Sequence, residues 1–244
     1  MDIHELRKNL IDLCKSFKHE WNSSIIVETP YIPYIPENWN GYLVLAEAQN
    51  LDYGAYADYT DAQKISRLYP DQDSLKCYTV NDSFPKLDIY PWDDGSIPLA
   101  LKAALDLNPY ETAVCNACFW SQRKGGANDN PNEEMRQQSI ELWKAMWSIL
   151  DSNVKHVITC GSIAASIFDF AKEKRMKLRL PSKTAMSRVS GMFKKEDLLM
   201  RYPEVKKAYD ELFNDKEVPF ALNKIFFACH AVSSLKSMPV QSPF

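Results

Sequence analysis

Apolar side chains recur at Ile3, Leu6, Leu10, Leu13, Phe17 and Trp21, a spacing that predicts one stripe of a helix over 3–21. The period then changes. ETPYIPYIPENWNG sets three prolines between Pro30 and Pro36, and their fixed φ and missing N–H make this stretch an extended connector. YLVLAEA reads as a short buried strand over 42–47 that ends in a polar cluster. Residues 52–95 are irregular and rich in Asp, Tyr and Pro; a loop that long in a compact domain is either functional or disordered.

Ser96 is placed as an N-cap, with Pro98 in the first turn, of a helix reaching about Leu107. ETAVCNACFW predicts a second strand over 112–118, followed by the polar loop SQRKGGANDNPN. After Asn132, the residues Met135, Leu142, Trp143, Met146, Trp147 and Leu150 share one face of a helix over 133–151. VKHVITC predicts a third strand over 154–160, which Gly161 turns into the helix SIAASIFDFAKEK. A further helix runs from Pro203 to Phe213. KIFFAC predicts the fourth strand, 224–229, opening into the loop HAVSSLKSMP. Strands separated by helices imply parallel βαβ units with right-handed crossovers. The expected fold is α/β: three layers, α/β/α, around a four-stranded parallel sheet. The chain is read as one domain over 1–244, with the helix and connector of 1–40 packing on it.

Composition sharpens this picture in three places. With 244 residues the chain can bury a sizeable core without staples. Its longest apolar runs are too short to span a bilayer, and its acid-containing N-terminus reads as a helix rather than a signal peptide. The six cysteines are scattered, and Cys160 and Cys229 sit in apolar runs where free Cys behaves as a small hydrophobe. Cys115 and Cys118 have C-x-x-C spacing, yet an offset of three on a strand points them to opposite faces. The expectation is a reducing, cytoplasmic setting, with no membrane partner, no metal, no cluster and no cofactor. The net charge of −3 is unevenly spread: residues 171–208 carry twelve Lys or Arg against four acids. That +8 segment on a body of −11 predicts a basic face for a polyanion; a solvated helical surface explains it equally well.

Candidate chemistry gathers at the predicted strand ends, where ligands of open α/β sheets bind. Glu47, Gln49 and Asn50 follow the first strand, Asn116 lies in the second, Gly161 and Ser162 follow the third, and His230 follows the fourth. LVLAEAQN, AVCNACF, the NPNEE-initiated helix with VITCGSIAASIF, and FFACHAVSSL stand in that order over roughly residues 40–240. In order and style this set resembles the uracil-DNA glycosylase superfamily. LVLAEAQN is similar to the G-E-A-P-G version of its first motif, AVCNACF to its base-reading Asn strand, and FFACHAVSSL to its His-Pro-Ser-like motif. There are departures: Ala46 stands for Gly, Gln49-Asn50 for Pro-Gly, Ala48 where the most active branch has Asp, and Ala231 for Pro.

The resemblance implies a base flipped out of DNA into a pocket. Breaking its N-glycosidic bond leaves negative charge on the base, which fixed hydrogen-bond donors stabilise. On this reading His230 donates to the base carbonyl, Asn116 reads the pyrimidine edge, and groups around Glu47, Ala48, Gln49 and Asn50 line the sugar and hold water. Glu47 or Asp52 takes the part of general base. Trp92, with Tyr90 or Tyr78 in reserve, stacks on the base, and Leu235 wedges into the duplex. The DNA contacts expected are Ser162, Lys183, Arg188, Ser233, Ser234, Leu235 and Lys236. Each of these residues also has a structural explanation: Trp92 in packing, Asn116 as a satisfied core group, His230 as a core-edge histidine.

Other enzyme classes fit less well. The turn AEAQNLDYG lacks the Gly-rich dinucleotide fingerprint, Ser162 lacks flanking glycines for a nucleophile elbow, and neither a P-loop nor H-E-x-x-H occurs. The function expected is a monomeric DNA glycosylase releasing uracil or a modified pyrimidine, including a phage-type base. The rival is a non-catalytic DNA-binding or regulatory protein on the same fold.

Overall fold

The computed structural model describes residues 2–21, 32–48, 83–87, 89–120, 122–124, 127–179, 181, 183–214 and 218–236, with backbone alone for 122–124, 127–129, 183, 184, 235 and 236. Asp52, Gln49, Asn50 and Tyr78 lie outside the described residues.

Helix α1 (Ile3–Ser16) buries Leu6, Leu10 and Cys14, spaced four apart on one face. It stops sooner than the apolar stripe, because Phe17 turns extended; Phe17 and Trp21 still pack against the core from non-helical backbone. Arg7 donates from Nε and Nη2 to the carbonyl of Ile35, which ties α1 to the connector. The connector is extended at Tyr34, which forms an antiparallel bridge with Val114 and so covers an edge of the sheet.

Four parallel strands form that sheet: β1 (Tyr42–Ala48), β2 (Ala113–Cys118), β5 (His156–Cys160) and β6 (Arg175–Leu178), in the order β2-β1-β5-β6. A small antiparallel pair, β3 (Gln122–Lys124) and β4 (Ala127–Asp129), lies where the sequence predicts only a polar loop. Helices cover both faces. On one side α1, α3 (Glu133–Leu150) and α4 (Gly161–Ile167) pack on Leu43, Leu45, Cys115 and Val157. On the other, α2 (Ser96–Leu105), α7 (Pro203–Phe213) and α8 (Ala221–Lys236) pack on Val44, Ala46, Val114 and Ile158. This is the expected three-layer α/β/α architecture. Alternation in the pleat gives the reason: β1, β2 and β5 are apolar on both faces, and each face is covered by helices.

The last strand and the last helix also differ from the sequence reading. The fourth strand is β6, not 224–229, and KIFFAC lies inside α8. Helix α8 is enclosed by α2, α5 (Lys183–Met192), α6 (Lys195–Arg201), α7 and β6. A helix covered on most sides carries apolar residues on most sides, so its 3.6-residue period is hidden and a short apolar run mimics a strand. β6 goes unseen for the opposite reason. As an edge strand it carries Arg175 and Lys177, which read as a solvated helix. Smaller shifts follow local chemistry. Asn132 caps α3 as expected, accepting from the amide of Met135 at 2.9 Å. The N-cap of α2 is Gly95, at φ 89°, while Ser96 is buried inside the first turn.

Candidate active site

Chain direction places a crevice between β1 and β5. From β1 the chain moves to β2 on one side, then returns to β5 on the other, with α2 and α3 on opposite faces. At such a switch point the two crossovers diverge and leave an opening beyond the carboxyl ends of the strands. A cavity of about 700 Å³ lies there, floored by Ala46, Glu47 and Ala48 of β1 and Cys160 of β5. Tyr90, Pro91, Asp94 and Ser96 form one wall, and Phe220, Asn223, Lys224 and Phe227 another. Pro181 and Met186 close it from the basic segment.

Glu47 reaches the cavity because of Gly161. That glycine has φ 90°, and a Cβ there would lie 2.2 Å from Glu47 Oε1. Gly161→Ala therefore meets both a left-handed backbone and the Glu47 carboxylate. It is expected to cost about 1–3 kcal/mol, read as a lower midpoint in urea unfolding.

Asp94 is fixed by the amide and hydroxyl of Ser96, which donate at 2.8 and 2.9 Å. Burial raises its carboxyl above the usual range, against the opposing pull of the Ser96 hydrogen bonds and of Lys224 and Lys86. Lys224 is 6% exposed, and its Nζ donates to the carbonyl of Pro219 at 2.6 Å. Burial lowers the pKa of its amine; Asp94 pulls it back up and Lys86 pushes it further down. Burial and then the Asp94 charge raise the Tyr90 phenol. Cys160 is no thiolate nucleophile, since burial and then the Glu47 charge drive its pKa well up. Two carboxyls and a buried amine around one cavity are groups suited to moving protons and to meeting developing charge of either sign.

The expected site is brought together only in part. Glu47 and Ala48 line the cavity, and so does Tyr90, named as a reserve for stacking. Trp92 does not: it is fully buried, its indole N–H donates to the carbonyl of Pro85 at 2.8 Å, and its ring meets Phe84 edge-on. It is a packing residue. Asn116 is fully buried on β2, in register with Ala46, and also lies off the lining. His230 follows no strand. It sits on α8 with Nδ1 2.9 Å from the carbonyl oxygen of Arg179, about one and two-thirds turns past Lys224 and outside the cavity lining. The segment that does follow the last strand is Arg179-Leu180-Pro181-Ser182, with a leucine before its Pro-Ser.

The expected DNA contacts lie on three helices, α4, α5 and α8. Ser162 is exposed on α4, and Arg188 is exposed on α5. Ser233 and Ser234 lie on α8, not in a loop, and donate back to the carbonyls of Cys229 and Ala231. Lys183, Leu235 and Lys236 are helical in backbone. The basic segment is partly neutralised, because Lys174, Arg175, Lys206 and Lys207 pair with Asp151, Asp169, Asp210 and Glu211, all from outside it. Lys177, Arg188, Lys194 and Arg201 form no ion pair among the described residues. Cys115 and Cys118 both face the α1–α3 core rather than opposite sides, because Cys118 ends its strand; Ser139 donates to Cys118 at 3.4 Å. Among the described residues no cluster of His, Cys, Asp or Glu has the makings of a metal site, and no helix is long and apolar enough to cross a membrane.

Sequence reasoning missed Asp94, Asn223 and Lys224. A signal existed for two of them: Asp94 lies in the turn PWDDG just before a helix, and Lys224 is the one charge at the head of an apolar run. The site thus defines a class, an α/β/α domain with an acid- and amine-lined cavity at its switch point. No protein-family model and no curated protein matches this chain.

Proposed function

We propose that this protein takes a base extruded from DNA into the switch-point cavity and hydrolyses its N-glycosidic bond, acting on uracil or a modified pyrimidine. The observation that carries this reading is the meeting of Glu47, from the segment that resembles the glycosylase first motif, with Asp94 and Lys224 in one cavity beyond β1 and β5. Cleavage develops positive charge on the sugar and negative charge on the departing base. Glu47 holds and deprotonates the attacking water and faces the cationic sugar, and Lys224 meets the anionic base. This part falls to Lys224 in place of His230. The cations of the basic segment that pair with no described acid draw the phosphate backbone toward the wall formed by Pro181 and Met186. The five cysteines among the described residues are free and buried, which suits a reducing, intracellular setting.

The test is base release from end-labelled oligonucleotides carrying uracil, hydroxymethyluracil, hypoxanthine or glucosylated hydroxymethylcytosine, followed by alkali to break abasic sites. One substrate is expected to be cut, and Glu47→Gln to slow it by about 10²–10⁴-fold. Binding is expected to weaken about a thousandfold between 50 and 200 mM salt for a footprint of roughly six phosphates. The position of His230, tied to Arg179 on a helix, favours one second reading: a DNA-binding protein that does not cut. Silence on every substrate together with salt-sensitive binding establishes that reading, and a flat salt response removes DNA as the ligand.

A further inference from the structure

We propose that Lys224 is an imine-forming nucleophile for the aldehyde of an abasic deoxyribose, so that the cavity cleaves the DNA strand as well as releasing the base. This rests on the reading of the cavity as a DNA-base site and adds a second reaction to it.

A lysine amine attacks a carbonyl only when neutral, and proteins make it so by burial and by a neighbouring cation. Lys224 has both. It is 6% exposed at the cavity wall, beneath the Phe220 ring, whose centroid is 5.8 Å from Nζ. Burial is the largest influence on this amine and favours its neutral form; the Asp94 charge opposes it by more than Lys86 adds to it, an opposition that lapses when Asp94 is protonated. Among the described residues Lys224 makes no ion pair; the carbonyl of Pro219 anchors the amine at 2.6 Å. An anchored, partly desolvated amine that lines a cavity with two carboxyls has the makings of a reactive group.

Phe220 supports a functional origin for this arrangement. It has φ 54°, a left-handed backbone disfavoured for a bulky residue, and its ring is 79% exposed at the cavity. Strain of that kind persists only where the surroundings enforce it. Here it sits four residues before Lys224, and the Phe220 carbonyl accepts from the Lys224 amide at 3.2 Å, opening α8. The residue that opens α8 thus also sets its ring near the Lys224 amine.

The step balances as follows. The Nζ lone pair forms a bond to C1′ of the open-chain sugar while the carbonyl π bond breaks. The nitrogen loses a proton and the oxygen gains one, giving a carbinolamine. The Asp94 carboxyl, held protonated to a higher pH than usual by burial, gives a second proton to that oxygen. Water leaves, and the nitrogen lone pair closes a protonated C=N bond. Loss of a C2′ proton to Glu47 then expels the 3′-phosphate, and water hydrolyses the imine to restore the amine.

The experiment uses the full chain and a duplex with a preformed abasic site, so base release is not required. Sodium borohydride adds hydride to the iminium carbon and fixes the adduct as a secondary amine. A covalent protein–DNA band is expected, with the crosslink mapped by peptide mass spectrometry to Lys224. Trapping is expected to fall about a hundredfold in Lys224→Gln. Lys224→Met, which keeps the apolar stem, is melted beside the wild type to separate lost chemistry from lost folding. Absence of a band from folded wild type, or a crosslink at another amine, overturns the proposal. Base release without trapping leaves a glycosylase that only hydrolyses and removes this inference alone. Trapping without base release leaves a strand-cleaving enzyme and removes the hydrolysis reading instead.

Discussion

Trp143→Ala lowers the unfolding free energy by about 3–5 kcal/mol, the largest loss expected from one core substitution here. The indole is fully buried on α3, between the rings of Phe119 at 4.9 Å and Phe168 at 4.9 Å. Its Nε1 donates to the carbonyl of Ala117 at 2.7 Å, a bond that pins α3 to β2. Alanine leaves a cavity among rigid rings, which cannot close it, and strips a buried carbonyl of a donor. A domain of this kind holds about 5–15 kcal/mol in all, so the variant stands near the edge of folding. Urea unfolding followed by far-ultraviolet circular dichroism reads the loss. Trp143→Phe keeps most of the volume and loses the hydrogen bond, so it falls between the two. Equal stability of wild type and Trp143→Ala would contradict the packing described.

Asp93→Ala carries the second large effect, and it joins stability to the site. The carboxylate is 7% exposed and accepts from the amides of Leu87 at 2.7 Å and Ile89 at 3.1 Å. The Lys86 amine donates to the Asp93 carbonyl, and the amides of Trp92 and Asp93 both donate to the carbonyl of Ile89. These bonds shape the turn that delivers Tyr90, Pro91 and Asp94 to the cavity wall. Removing the carboxylate orphans two buried amides, at a cost of roughly 2–5 kcal/mol. Asp93→Asn retains one acceptor oxygen and loses about half of that. If the cavity releases bases as proposed, that activity is expected to fall further than stability alone explains, because Asp94 loses its fixed place. Activity measured well below the melting transition separates the two effects, and full activity in Asp93→Ala would show that this turn does not shape the site.

How legible the molecule is depends on how each residue signals its surroundings. β1, β2 and β5 are short runs apolar on both faces, which is what a central parallel strand requires, and they are readable from the chain alone. So is α3, whose apolar stripe and Asn132 cap are local features. Glu47 is readable because it ends such a strand in a fold that binds ligands there. The partners of Glu47 are not. Asp94 and Lys224 stand 47 and 177 residues further on, and nothing local marks them as neighbours. Trp92 shows the same limit from the other side: an aromatic in a Pro-rich turn looks like a stacking platform until its burial is known.

The fold class, the central strands and the strand end at which the cavity opens could be read from the chain, because hydrophobic period and chain alternation are local properties that sum along it. Only the tertiary structure decided that 221–236 is a helix, that the charged segment 175–178 is the fourth strand, and that Lys224 rather than His230 faces the cavity. A helix packed on most sides loses its amphipathic stripe and an edge strand takes on surface charge, so in both cases the neighbours, not the residues, set the conformation.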